Sequence, residues 1–154
     1  MGANLFFKGA VELKNLIIIF LLMVSGTVST AGQWKVLEHQ DAFWLANVKD
    51  PAIKSQITSV GGTPEFVEVI RPEKISPVIL LKYFAGTSGT SVTIDEYWAV
   101  IYNPETERFF GDYPYAYKNY PDGIQVSEPV WSFSKDAVHI VDKEASIDKV
   151  INLE

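Results

Sequence analysis

A chain of 154 residues with 13 basic and 19 acidic side chains, net charge −6, has the wrong sign for gripping a nucleic-acid backbone or an anionic membrane surface. It contains no cysteine, which removes disulfide frameworks, thiol catalysis, thiolate metal sites and a lipid-modified amino-terminal cysteine. Its 47% hydrophobic and 13% aromatic content is enough to fill the core of one domain, and its acidity suits a basic protein partner.

Lys8 and Lys14 flank a weakly charged opening, followed by the unbroken apolar run Leu16 to Val24 and the small, mild stretch Ser25 to Ala31. This is the three-part pattern of a secretory signal peptide. Ser29-Thr30-Ala31 offers small residues at both positions a signal peptidase reads, so cleavage is expected after Ala31, with Ser29 as a second candidate. A retained membrane anchor is the alternative, but it wants roughly 20 apolar residues. On this reading residues 1–31 are removed and residues 32–154 form a single exported domain, in a bacterial periplasm or outside the cell. The chain carries no Asn-x-Ser/Thr sequon, which leans toward the periplasm.

Trp34 to Glu38 and Ala42 to Val48 are apolar-rich runs separated by His39-Gln40-Asp41, the pattern of a hairpin. Asp50-Pro51 then resembles an N-cap followed by proline at the first helical position. With Ile53, Ile57 and Val60 at helical spacing and Gly61-Gly62 beyond, it predicts a short helix over 51–60. The alternative is a strand from Ile53 to Thr58. Glu65 to Ile70 alternates cleanly, and Val78 to Phe84 is almost continuously apolar, as expected of a central strand. Ala85 to Ser91 reads as a Gly/Ser/Thr loop.

The richest stretch is Glu96 to Lys118, which reads as a β-hairpin turning at Asn103-Pro104-Glu105-Thr106. There the Asn side chain can bond back to the backbone while Pro104 presets the turn. Tyr97, Ala99 and Ile101 share one face and Trp98, Val100 and Tyr102 the other, so this strand belongs in a sheet covered on both sides. Gly111-Asp112 predicts a second bend. Residues 119–129 read as a connection, and Trp131 to Phe133, Val138 to Val141 and Lys149 to Leu153 as three short closing strands. The fold class is therefore mainly β, with α+β as the alternative: an antiparallel β-sandwich or curved sheet of about eight strands with one short helix.

Chemistry has few places to reside. His39 and His139 are the only imidazoles, and nothing in their spacing brings them together as metal ligands, so no metal or cofactor is expected. Ser132-Phe133-Ser134-Lys135 matches the Ser-x-x-Lys string of penicillin-interacting enzymes, but strand alternation sends Ser132 and Lys135 to opposite faces. Gly86 to Gly89 lacks both the nucleophile-elbow spacing and the ending of a phosphate loop. A carboxylate hydrolase built on Asp95 and Glu96 or on Glu105 and Glu107 is the weakest reading, since neither pair separates its pKa values as acid/base chemistry requires.

The aromatic run carries more. Tyr113, Tyr115 and Tyr117 alternate with Pro114, Ala116 and Lys118, with Tyr120 beyond, so an extended chain puts three phenols in a row on one face. Pro114 points to an edge strand, open to strand addition by a partner. Binding is expected at Tyr113, Tyr115, Tyr117 and Tyr120 together with Thr87 and Ser88 of the neighbouring loop. The leading expectation is a protein-binding domain of inhibitor or immunity type whose acidic surface meets a basic envelope protein. The alternative is a small-ligand or glycan-binding module using the same tyrosines. No nucleic-acid partner is expected, and membrane contact only through an uncleaved leader.

Overall fold

Within each of three sheets, strands consecutive in the chain are hydrogen-bonded neighbours. The computed structural model describes residues 30–72, 75–120 and 125–154. Of the expected leader, residues 1–31, residues 1–29 lie outside them. A single 3₁₀ turn, Thr30–Gln33, leads into a three-stranded sheet of β1 (Trp34–His39), β2 (Ala42–Asn47) and β3 (Lys54–Ile57). A five-stranded sheet follows, of β4 (Glu65–Ile70), β5 (Ile79–Ser88), β6 (Thr93–Asn103), β7 (Arg108–Tyr120) and β8 (Gln125–Ser127), in that spatial order. The chain closes with a second three-stranded sheet of β9 (Val130–Phe133), β10 (Ala137–Asp142) and β11 (Ile147–Asn152). All strand pairs are antiparallel, so turns alone connect them and no crossover helix is called for.

Alternation in β5 and β6 makes the five-stranded sheet the middle layer. Leu81, Tyr83, Val100 and Tyr102 point to one side, where Trp34, Leu45 and Ile57 of the amino-terminal sheet cover them. Leu80, Ala99 and Ile101 point to the other, under Val138, Ile140 and Ile151 of the carboxy-terminal sheet. Adjacent residues Leu80 and Leu81 are thus both buried, in different cores. The apolar character of both faces of Tyr97 to Tyr102 has this physical cause: each face meets its own covering sheet.

Buried polar groups follow one rule. Among the described residues, Asn47, Asn103 and Asp142 are the buried polar side chains, and each closes the turn after a strand. Asn47 Oδ1 accepts from the amides of Lys49 and Asp50 at 2.9 and 3.4 Å. Asn103 Oδ1 accepts from Glu105 and Thr106 at 2.9 and 3.3 Å, the back-bonding expected of that turn. Asp142 Oδ1 does the same for Glu144 and Ala145 at 3.0 and 3.1 Å. Each side chain satisfies backbone donors that the turn leaves without a strand partner.

Three expectations are corrected. The helix over 51–60 does not form. Asp50 does accept a capping bond from Ala52 N–H at 3.1 Å, but the turn stops at Ile53, whose N–H reaches Asp50 O at 3.0 Å. Lys54–Ile57 then pairs with β2 and buries Ile57, a gain that an isolated helical turn with its costly nucleus cannot match. The loop over 85–91 shrinks, because β5 continues to Ser88 through a bulge between Phe84 and Gly86. There Thr87 N–H donates to Gly61 O and Val60 N–H to Ala85 O, both at 2.9 Å, and a Cβ on Gly86 would collide with the Gly61 carbonyl. The bend at Gly111-Asp112 is likewise a bulge within a continuous β7, with Gly111 at φ 99°. The short strands β3 and β8 carry the strand count above the expected eight.

Candidate functional site

The tyrosine run is split by a second bulge in β7. The register shifts between Tyr97 and Trp98, whose partners are Ala116 and Pro114, so Tyr115 is the extra residue. Cross-strand partners share a face. Tyr113, opposite Ala99, therefore lies on the carboxy-terminal side, whereas Tyr117, opposite Glu96, lies on the amino-terminal side. The expected row of three phenols is corrected to a pair plus one, because the bulge shifts the alternation by a residue. Tyr120 pairs through its backbone with Thr93, and its side chain lies outside the described residues. The edge position expected from Pro114 is present: β7 has β6 along one side, while β8 reaches only Tyr117 and Lys118 on the other.

Each phenol is held differently. Tyr113 donates its hydroxyl to Phe110 O at 3.2 Å and carries Lys149 Nζ 4.8 Å over its ring. Tyr115 has Lys82 Nζ 5.1 Å over its ring and Trp131 5.8 Å away between centroids. Burial, and then the charges of Glu96 and Asp142, push the Tyr117 phenol up to about 12. It stays protonated across the physiological range and can donate.

Thr87 and Ser88 serve the tip of the β5–β6 hairpin. Thr87 Oγ1 donates to Asp95 Oδ1 at 3.0 Å and Ser88 Oγ to Glu96 Oε1 at 2.5 Å, with Trp98 Nε1 donating to Glu96 Oε2 at 3.3 Å. Asp95 and Glu96 consequently face opposite sides of the sheet, each with its own hydroxyl partner. Neither hydroxyl joins the Tyr113–Tyr115 pair.

Tyr115 instead belongs to a cleft of about 280 Å³ on the carboxy-terminal side of the central sheet. Ile70 and Leu80 form its floor, Tyr115 one wall, and Trp131 and Phe133 of β9 the other. The Trp131 and Phe133 rings are stacked, 6.2 Å apart and 19° from parallel. Their i, i+2 spacing on a strand is what turns both rings to one side. Trp131 was legible as a strand residue, and this spacing was the signal that could have marked it as a site residue too. Glu128 stands at the rim. Beside the cleft, Lys82 bridges to Glu68 at 2.9 Å and lies 5.5 Å over Tyr97, which packs on Phe84 at 5.7 Å and carries Lys118 at 5.1 Å. An ammonium over a ring is worth about 0.5–1 kcal/mol at an exposed site, so these lysines hold the tyrosine rings in place.

Other sequence features fall elsewhere. His139 Nε2 lies 2.7 Å from Asp148 Oδ1. Ser132 is on strand β9 with Lys135 in the bend beyond it. Among the described residues no group of three or more His, Cys, Asp or Glu side chains converges. A further polar cluster went unread: Tyr83 Oη donates to Asp112 Oδ2 at 2.6 Å, and Thr58 N–H donates to Asp112 Oδ2 at 2.8 Å and to Tyr83 Oη at 3.1 Å. Burial, then the charge of Asp112 and the bond to it, raise the Tyr83 phenol far above its ordinary range. This cluster ties the end of β3 to β5 and β7 and is structural.

No family model, curated protein or solved structure matches this chain.

Proposed function

We propose that this is an exported binding protein that takes a glycan or another ring-shaped small ligand in the cleft between Tyr115 and the Trp131–Phe133 pair. One observation carries the reading: rings from two different sheets converge on one concavity, with Lys82 and Glu128 beside it. Apolar walls with a few polar groups at the rim are the general form of a small-ligand site. A sugar presents an apolar ring face to such walls and hydroxyls to the rim. A glycan array probed with the purified protein tests this reading, repeated at low and high salt. Stacking on a neutral sugar should hold across the salt range, and an array with no retained glycan counts against the reading.

The second reading, a protein-binding domain of inhibitor or immunity type, is favoured by the edge of β7 ahead of Tyr117, which no other strand among the described residues pairs with on that side. An open strand edge can accept a partner strand. Association of the acidic chain with a basic envelope protein would weaken steeply as salt rises.

A further inference from the structure

On the opposite side of the central sheet, a second cleft of about 200 Å³ opens where the ends of several strands meet. Its apolar base is Trp34 and Ile79, with Tyr102 set edge-on to Trp34 at 5.1 Å. Polar residues line it from four places in the chain: Gln33 at the end of the 3₁₀ turn, Asn47 at the end of β2, Arg71 just after β4, and Glu107 in the β6–β7 turn. Arg71 and Glu107 carry opposite charge, yet among the described residues neither forms an ion pair or a hydrogen bond. Asn47 is 6% exposed. Its Oδ1 is committed to the amides of Lys49 and Asp50, while its NH₂ group has no partner among the described residues. The NH₂ group keeps solvent access at the cleft, where it can donate to a ligand. Burial and then the charge of Glu107 also raise the Tyr102 phenol, which therefore remains a donor.

We infer that this cleft binds a free α-amino acid with an apolar side chain. A guanidinium grips a carboxylate through two parallel N–H bonds, so Arg71 takes the ligand carboxylate with the Asn47 NH₂ as a further donor. Glu107 takes the ammonium, and the side chain lies on Trp34 and Ile79. The size agrees: the cleft is smaller than the sites that hold drug-sized ligands. Separate charges of opposite sign on one apolar floor select a zwitterion over a singly charged or neutral molecule.

The test is an NMR titration of the ¹⁵N-labelled protein with L-leucine, N-acetyl-L-leucine and L-leucinamide. Leucine is expected to shift the Arg71 Nε–H and Asn47 Nδ2–H₂ resonances saturably at millimolar concentration, without moving the Trp131 indole resonance. Blocking either charge should weaken binding about tenfold or more, the loss of at least one charged contact. Arg71→Gln should abolish the leucine response, and Arg71→Lys should retain a weakened one, both with an otherwise unchanged spectrum. Absence of a saturable leucine shift overturns the inference. So does equal binding of the blocked forms, or a response that survives in Arg71→Gln.

Discussion

Replacing Tyr83 by Phe removes one oxygen from the middle of the fold, and the geometry fixes what is lost. The Tyr83 hydroxyl, on a side chain with no solvent exposure, donates to Asp112 at 2.6 Å. A hydrogen bond to a charged group contributes about 1.5–3 kcal/mol. In Tyr83→Phe the carboxylate keeps its 2.8 Å bond from Thr58 N–H, so the cost should fall near the lower end, about 1.5–2 kcal/mol. Asp112→Ala is the harsher change. It leaves the buried Tyr83 hydroxyl facing only the Thr58 N–H, a donor, so the lost bond is joined by the penalty of an unsatisfied buried group, about 3–4 kcal/mol in all. In the double variant no hydroxyl is stranded, and the two costs should fail to add by about 1–3 kcal/mol. Urea unfolding of the wild type, both single variants and the double variant reads these values from shifts in midpoint at constant m. Equal costs for the single variants, or simple additivity, would refute the claim that this cluster acts as one unit.

Other outcomes follow from the same structure. Asn103→Ala should lower stability by about 1–2 kcal/mol in urea melts, because it strips the acceptor from the Glu105 and Thr106 amides. Gly86→Ala should cost at least as much as Asn103→Ala, about 1–3 kcal/mol, since φ is +124° and the new Cβ meets the Gly61 carbonyl, whereas Gly32→Ala, with open space around it, should change little by the same assay. Stability should also fall with rising alkali. The folded pKa of Tyr117 is raised to about 12 from an ordinary 10.0, so its contribution is whole below the unfolded value and is lost as pH climbs through that window. Phenolate absorbance against pH should include a step near pH 12 that Tyr117→Phe removes, while Tyr83 and Tyr102 also titrate above the ordinary value.

Much of the layered fold was legible because covering sheets leave a mark on composition. Tyr97 to Tyr102 is apolar or aromatic on both sides, and Val78 to Phe84 is almost continuously apolar, broken only by Lys82, so both announced a middle layer. Asn103-Pro104 announced its own turn through a local bond. What sequence did not disclose is where pairing overrides local signals. Asp50-Pro51 carries a genuine helix-start signal, and pairing with β2 cancels it after one turn. The bulge at Tyr115 is set by how β7 registers on β6, a tertiary fact with no cue beyond Pro114, and it alone separates Tyr117 from Tyr113. Trp131 and Phe133 were visible as a strand, but their meeting with Tyr115 depends on how the carboxy-terminal sheet lies across the central one.

The most direct test of the cleft is a titration of the best glycan from the array into four proteins: wild type, Trp131→Ala, Tyr115→Ala and Tyr117→Ala. Truncating an aromatic anchor costs about 2 kcal/mol, roughly 30-fold in Kd. Trp131→Ala and Tyr115→Ala should show that loss with their folds intact, whereas Tyr117→Ala, altered on the other face, should bind like wild type. Unchanged affinity in folded Trp131→Ala, or an equal loss in Tyr117→Ala, would contradict the cleft as the binding site.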